Sequence, residues 1–65
     1  MKPYKMTSRS PSATETEGWS GVMEHEMPST AAAIAWFAFV AITQPEVTHI
    51  IETPDGHVLA VYEPQ

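Results

Sequence analysis

The sequence contains no cysteine, and this absence limits how the chain can be stabilised. Disulfides cannot reinforce a chain of 65 residues, and a zinc site would have to be built from three histidines and carboxylates. A chain of this length buries only about 60% of the surface that its unfolded form exposes, so its own core is small. Association with another copy is the remaining common source of stability. Lack of cysteine is also typical of a cytoplasmic protein.

Basic residues are scarce and are confined to one end. Lys2, Lys5 and Arg9 are the only ones, whereas the eight acidic residues all lie at position 15 or later. Because phosphate binding depends on Lys and Arg, direct nucleic-acid binding is not expected. An acidic surface keeps a small apolar protein dispersed, and the alternative is that it meets a basic protein partner.

Long apolar runs are missing as well. The longest covers residues 31–42, whereas a helix needs about 20 apolar residues to span a bilayer. The basic start of the chain is followed by a Ser/Thr/Pro-rich stretch instead of the apolar region of a signal peptide. We therefore expect neither a membrane span nor secretion by that route.

Composition divides the chain near residue 17. Residues 1–17 contain Pro3 and Pro11 among many Ser and Thr and have few large apolar groups. Such a segment is expected to be a disordered tail, or alternatively a cationic arm that lies across an acidic surface. Residues 18–65 are predicted to form a single small domain.

Residues 19–27 alternate in polarity, which favours a β-strand. Trp19, Met23 and Met27 fall on one side of that strand. Gly18 and Gly21 weaken the pattern, because glycine often marks a bulge or bend. The alternative is an irregular segment anchored by Trp19.

A helix is predicted over residues 29–43. Ser29 or Thr30 can cap its first turn, alanines give it high helix propensity, and Pro45 ends it. The large side chains are distributed around the whole helix, and one stripe of alanines would allow another element to approach closely. A helix with no polar face cannot be covered by two or three short strands, so we expect oligomerisation.

A β-hairpin is predicted over residues 47–52 and 57–63, with a turn at Pro54, Asp55 and Gly56. If Thr53 pairs with His57, then Ile51 lies opposite Leu59 and His49 lies opposite Val61. Both faces of this hairpin are largely apolar. We therefore expect the helix to cover one face and a partner or the amino-terminal segment to cover the other.

Glu24, His25, His49 and His57 are the only candidates for a polar site. Glu24 and His25 are neighbours on a predicted strand and so point to opposite faces, whereas His49 and His57 lie too far apart on the hairpin to share one metal ion. No phosphate-binding glycine motif or nucleophile motif is present. No catalytic site, metal or cofactor is therefore predicted. The aromatic residues of the helix are expected to form a core or an interface, with an apolar ligand cavity as the alternative.

Together these features predict a small α+β fold of βαββ or αββ order, in which one apolar helix packs on a short antiparallel sheet and oligomerisation, most simply a dimer, completes the core. The predicted function is that of a non-enzymatic, acidic, homo-oligomeric interaction protein. The alternatives are an acidic inhibitor that binds a basic protein, and a small-ligand binder or enzyme with a site near His49 at a subunit interface. The candidate interface residues are Ile34, Trp36, Phe37, Phe39, Val40, Ile50, Val58 and Tyr62.

Overall fold

One α-helix packs on a four-stranded antiparallel sheet. The computed structural model describes residues 3–10 and 20–64. The elements are β1 Tyr4–Arg9, β2 Ser20–His25, α1 Thr30–Thr43, β3 Thr48–Glu52 and β4 Val58–Tyr62. The strand order across the sheet is β2-β1-β3-β4. The predicted α+β class is confirmed, with one more strand than the βαββ order and two more than the αββ order.

Strand β1 lies in the interior of the sheet, where it pairs with β2 and with β3. The prediction of a disordered tail is therefore wrong for Tyr4–Arg9, while residues 11–17 of that predicted tail lie outside the described part of the chain. Met6 pairs with Met23 on one side and with Ile51 on the other. Its side chain is fully buried. Ordering this segment costs conformational entropy, which its composition alone did not predict to be offset. Hydrogen bonds to two neighbouring strands and the burial of Met6 offset that cost.

The helix covers one face of the sheet, which we call the inner face. Alternate residues of β1 and β3 point to this face, and Met6 and Ile51 are fully buried there. They form the centre of the core with Val40 from α1. Five partly buried side chains pack around this centre: Tyr4, Trp36, Phe37, Leu59 and Ala60.

Helix α1 begins and ends close to the predicted residues. Ser29 has an extended backbone, and its Oγ accepts a hydrogen bond from the backbone N–H of Ala32 at 3.2 Å. This is the geometry of an N-cap, which satisfies one of the first backbone donors of the helix. The helix ends after Thr43, where the N–H of Gln44 donates to the carbonyl oxygen of Val40 at 2.9 Å.

The hairpin of β3 and β4 is present, and its turn is the predicted one. The N–H of Thr53 donates to the carbonyl oxygen of His57 at 2.8 Å, and the N–H of Gly56 donates to that of Thr53 at 2.9 Å. Gly56 has φ of 90°, a conformation that residues with a Cβ rarely adopt. Gly56 therefore allows the chain to reverse within three residues.

The predicted register of the hairpin is wrong beyond Glu52. Glu52 pairs with Val58, but Ile51 pairs with Ala60, so the ladder shifts by one residue at a β-bulge. His49 consequently lies opposite Tyr62 instead of Val61. The amino-terminal segment was one candidate to cover the second face of the hairpin. Through β1 it instead extends the sheet at the edge of β3.

Candidate functional site

The side of α1 that points away from the sheet is apolar and open to solvent. We call it the outer helix face. Ile34, Phe39 and Ile42 are 44%, 66% and 77% exposed on this face. The other exposed positions of residues 31–42 are the alanines Ala31, Ala35 and Ala38. Exposed apolar side chains that form one continuous strip are typical of a surface that binds another macromolecule.

The face of the sheet opposite the helix, here the outer sheet face, is mixed in character. Val58 and Val61 are 58% and 51% exposed there, and Ile50, which pairs with Val61, is half-buried. An ion pair crosses β1 and β3 on the same face, with Lys5 Nζ 3.7 Å from Glu52 Oε2. Because both side chains are partly exposed, this pair contributes less than about 1 kcal/mol.

A second candidate lies on the inner face, where two neighbouring strands place a serine against a histidine. Ser8 and His49 are register partners on β1 and β3. Ser8 Oγ is 2.8 Å from His49 Nδ1, and His49 Nε2 is 3.0 Å from the carbonyl oxygen of Gln44. The histidine ring is fully buried and Ser8 is 6% exposed. Both ring nitrogens therefore have a partner, as buried polar groups require.

The ring of Tyr62 packs beside this histidine. The two ring centroids are 6.0 Å apart, and the planes are inclined by 31°. The Tyr62 hydroxyl donates to the carbonyl oxygen of Pro45 at 2.6 Å. Two hydrogen bonds, one from His49 to Gln44 and one from Tyr62 to Pro45, thus tie the hairpin to the end of the helix.

A cleft of about 240 Å³ lies beside Ser8. Its other lining residues are Gly21, Val22, Met23 and Gln44. Gly21 is the register partner of Ser8 on β2, and a Cβ built on it would have no neighbour within 4 Å. The missing side chain of Gly21 therefore leaves open space next to the serine.

The four residues of the predicted polar site are not brought together. His25 is exposed, and its ring makes an edge contact with that of Trp36, with centroids 4.9 Å apart. Glu24 and His57 are exposed at other positions, and only His49 is buried. Within residues 3–10 and 20–64, no group of three or more histidine or carboxylate side chains is placed to hold a metal ion.

The predicted interface residues divide into three sets. Val40 is buried in the chain's own core, and Trp36 and Phe37 pack against that core. Ile34 and Phe39 lie on the outer helix face and Val58 on the outer sheet face, all three exposed. Ile50 and Tyr62 are half-buried. Val40 is therefore covered by the chain itself, Trp36 and Phe37 keep part of their surface, and the three exposed residues are open to a partner.

Ser8 was missed because it falls in the segment assigned to the tail. A signal was nevertheless present, since Tyr4, Met6 and Ser8 alternate with Lys5, Thr7 and Arg9 at the period of a strand. The pairing of Ser8 with His49 could not be read from the sequence, because 41 residues separate them and the strand order decides their contact.

Fold and surface together define a small antiparallel α+β protein with an exposed apolar helix face. No family model matches the chain, and neither the curated proteins nor the solved structures contain a match to it. Among the described residues, α1 is the only helix, and it is too short to cross a membrane.

Proposed function

We propose that this chain is a small, non-enzymatic, homo-oligomeric interaction protein that associates with a second copy through the outer helix face. The observation that carries the proposal is the exposure of Ile34, Phe39 and Ile42 on a helix with no polar residue between Ala31 and Ile42. Burying a side chain of this kind stabilises a complex by about 1.5–3 kcal/mol. These side chains stay exposed in the monomer, and their burial against a second copy would therefore favour binding.

The small size of the core supports the same proposal. Within the described part of the chain, only five apolar residues are buried, and Ala33 is one of them. Short chains usually need a further source of stability, and there is no cysteine to supply a disulfide. A second copy supplies it by covering the large apolar side chains of α1.

The spacing of residues on the outer helix face suits a two-fold, antiparallel pair of helices. Ala31 and Ile42 lie equally far from the midpoint between Trp36 and Phe37, and so do Ala35 and Ala38. In an antiparallel pair centred on that midpoint, the large Ile42 of one copy is level with the small Ala31 of the other. The two alanine pairs meet at the centre and let the backbones approach closely. Ile34 and Phe39 are also equidistant from the midpoint and lie level across the pair, so large and small residues alternate along the interface.

A second copy is favoured over a basic protein because of where the charges lie. The outer helix face carries none, whereas a basic partner would be attracted to carboxylates. The exposed carboxylates are divided between regions of the chain, with Asp55 in the hairpin turn and Glu46 beyond the end of α1. Binding of a basic protein is therefore the alternative function, to be tested by the salt dependence described in the Discussion.

The proposal is tested by replacing one exposed apolar residue on each face with glutamate. The unmodified chain is expected to sediment with a mass near twice the 7.2 kDa of one copy once its concentration is well above the dissociation constant of the pair. The Ile42→Glu variant is expected to sediment as a monomer, because pairing would bury two unpaired carboxylates. The two helices are short, so their pairing buries less than a standard interface of about 1,600 Å². We therefore expect weak association, with a micromolar dissociation constant.

Val58→Glu is the matched control. Val58 is 58% exposed on the outer sheet face, so its replacement introduces the same charge at a comparable exposure away from the helix. This variant is expected to remain a dimer. A dimer that survives Ile42→Glu but not Val58→Glu would assign the interface to the sheet, and a monomeric unmodified chain would contradict self-association altogether.

A further inference from the structure

The hydrogen bonds around His49 fix which ring nitrogen carries the proton. The carbonyl oxygen of Gln44 can only accept, so Nε2 of His49 donates to it at 3.0 Å. In a neutral ring the other nitrogen, Nδ1, is then an acceptor, and the Ser8 hydroxyl 2.8 Å away donates to it. With its proton directed to the histidine, the Ser8 oxygen keeps its lone pairs for a different partner.

This arrangement is a nucleophile, a base and a group that orients the base. Hydrogen bonding between a serine and a histidine whose second nitrogen is held by a third group is the signature of an activated hydroxyl. The sheet keeps the two side chains in place, because Ser8 lies on an interior strand and His49 is its register partner. The same hydrogen bonds would also satisfy a buried pair that has only a structural role. Access of a ligand to Ser8 therefore distinguishes a reactive serine from a structural one.

Access is provided by the cleft of about 240 Å³ that Ser8 lines. Val22 and Met23 make one side of this cleft apolar, and the absence of a side chain at Gly21, the register partner of Ser8, leaves open space there. An apolar cleft with a single activated hydroxyl suits a small electrophile with a short hydrocarbon chain.

We propose that Ser8 is an acyl-acceptor site, which His49 activates toward activated esters of short apolar acids. In the step, Ser8 Oγ forms a bond to the carbonyl carbon of the ester while its proton passes to His49 Nδ1. The bond from that carbon to the leaving oxygen then breaks, and the leaving group departs as the alcohol after taking the proton from Nδ1. The products are acyl-Ser8 and one alcohol, and no oxidant or water is consumed. The carbonyl oxygen of Gln44 stabilises the transient positive charge on the ring.

The test exposes the native full chain to p-nitrophenyl butyrate and locates the butyryl group by peptide mass spectrometry. Ser20, which is exposed on the neighbouring strand, serves as the internal reference. Ser8 is expected to react on the order of 100-fold faster than Ser20, since general-base assistance has at least that effect. Hydroxylamine separates serine esters from lysine amides, because it removes butyryl from a serine oxygen but not from the amines of Lys2 and Lys5.

Two variants test the acceptor residue and its cleft, and the comparisons with Ser20 and with the unfolded chain test its activation. Ser8→Ala is expected to lose the rapidly formed, hydroxylamine-sensitive butyryl group and to keep only the slow reaction of Ser20. Gly21→Leu leaves Ser8 and His49 in place but fills the cleft, and it is expected to slow acylation of Ser8 at least tenfold. Acylation of Ser8 at the rate of Ser20 in the native chain would overturn the proposal and leave Ser8 and His49 as a structural pair. So would a Ser8 rate that is unchanged when the chain is unfolded in urea.

Discussion

At the scale of single residues, Gly56 and Gly21 differ in whether their backbone conformation requires glycine. Gly56 is the only described residue with positive φ, at 90°, whereas Gly21 lies in an exposed strand with no such constraint. A Cβ added at either position would meet nothing within 4 Å. Any difference between alanine substitutions at the two sites therefore reports backbone conformation and not steric contact.

We expect Gly56→Ala to lower the free energy of unfolding by about 1 kcal/mol, because a Cβ disfavours the left-handed conformation. Gly21→Ala is expected to leave it unchanged or to raise it by about 0.5 kcal/mol, because alanine reduces the entropy of the unfolded chain. Urea unfolding of both variants at one protein concentration measures the difference. Equal effects of the two substitutions would show that Gly56 does not hold the turn in this conformation.

At the scale of elements, local signals predicted α1 and the hairpin but not β1 or the bulge. Capping by Ser29 and the chemistry of the turn at Gly56 act within a few residues, so the sequence displays them directly. The place of β1 in the sheet depends on pairing with β3, whose paired residues lie 39 to 47 positions away along the chain. The bulge that moves Ile51 from Leu59 to Ala60 also has no local marker, since neither residue is a glycine.

The same distinction limited the prediction of sites. The apolar character of α1 was visible in the sequence, but which side the sheet covers was not. The helix is apolar around its whole circumference, so periodicity could not separate Val40, which is buried, from Phe39, which is exposed. His49 was named as a candidate, whereas its contact with Ser8 required the order of the strands.

Because β1 lies in the interior of the sheet, a core substitution in it should destabilise the protein, which would not happen if this segment were disordered. Met6→Ala is expected to lower the free energy of unfolding by about 3 kcal/mol, because Met6 is fully buried against Val40 and Ile51. Lys5→Ala, at the next residue, is expected to cost less than about 1 kcal/mol, since it removes only a partly exposed ion pair with Glu52. Urea unfolding of both variants at one protein concentration tests this. A Met6→Ala effect no larger than that of Lys5→Ala would show that β1 does not pack in the core.

At the scale of the whole molecule, apolar surface and charge act against each other. The outer helix face favours association, while a formal net charge of −5 on each chain opposes it. Repulsion between like-charged copies is long-range and is screened by salt, whereas apolar contact does not depend on ionic attraction. The response of the dimer to ionic strength therefore identifies which kind of surface forms the interface.

We expect the dissociation constant of the dimer to fall as sodium chloride is raised from about 0.01 M to about 0.5 M. The Debye length shrinks from about 30 Å to less than 10 Å over this range, so the two negative chains repel each other less, while the buried side chains of α1 lose nothing. Sedimentation equilibrium at matched protein concentrations measures the change. A basic protein bound to the exposed carboxylates would respond in the opposite way, since salt weakens attraction between unlike charges. A dimer that weakens with salt would contradict an apolar helix interface and would point to the outer sheet face, where Lys5 and Arg9 could pair with carboxylates of the second copy.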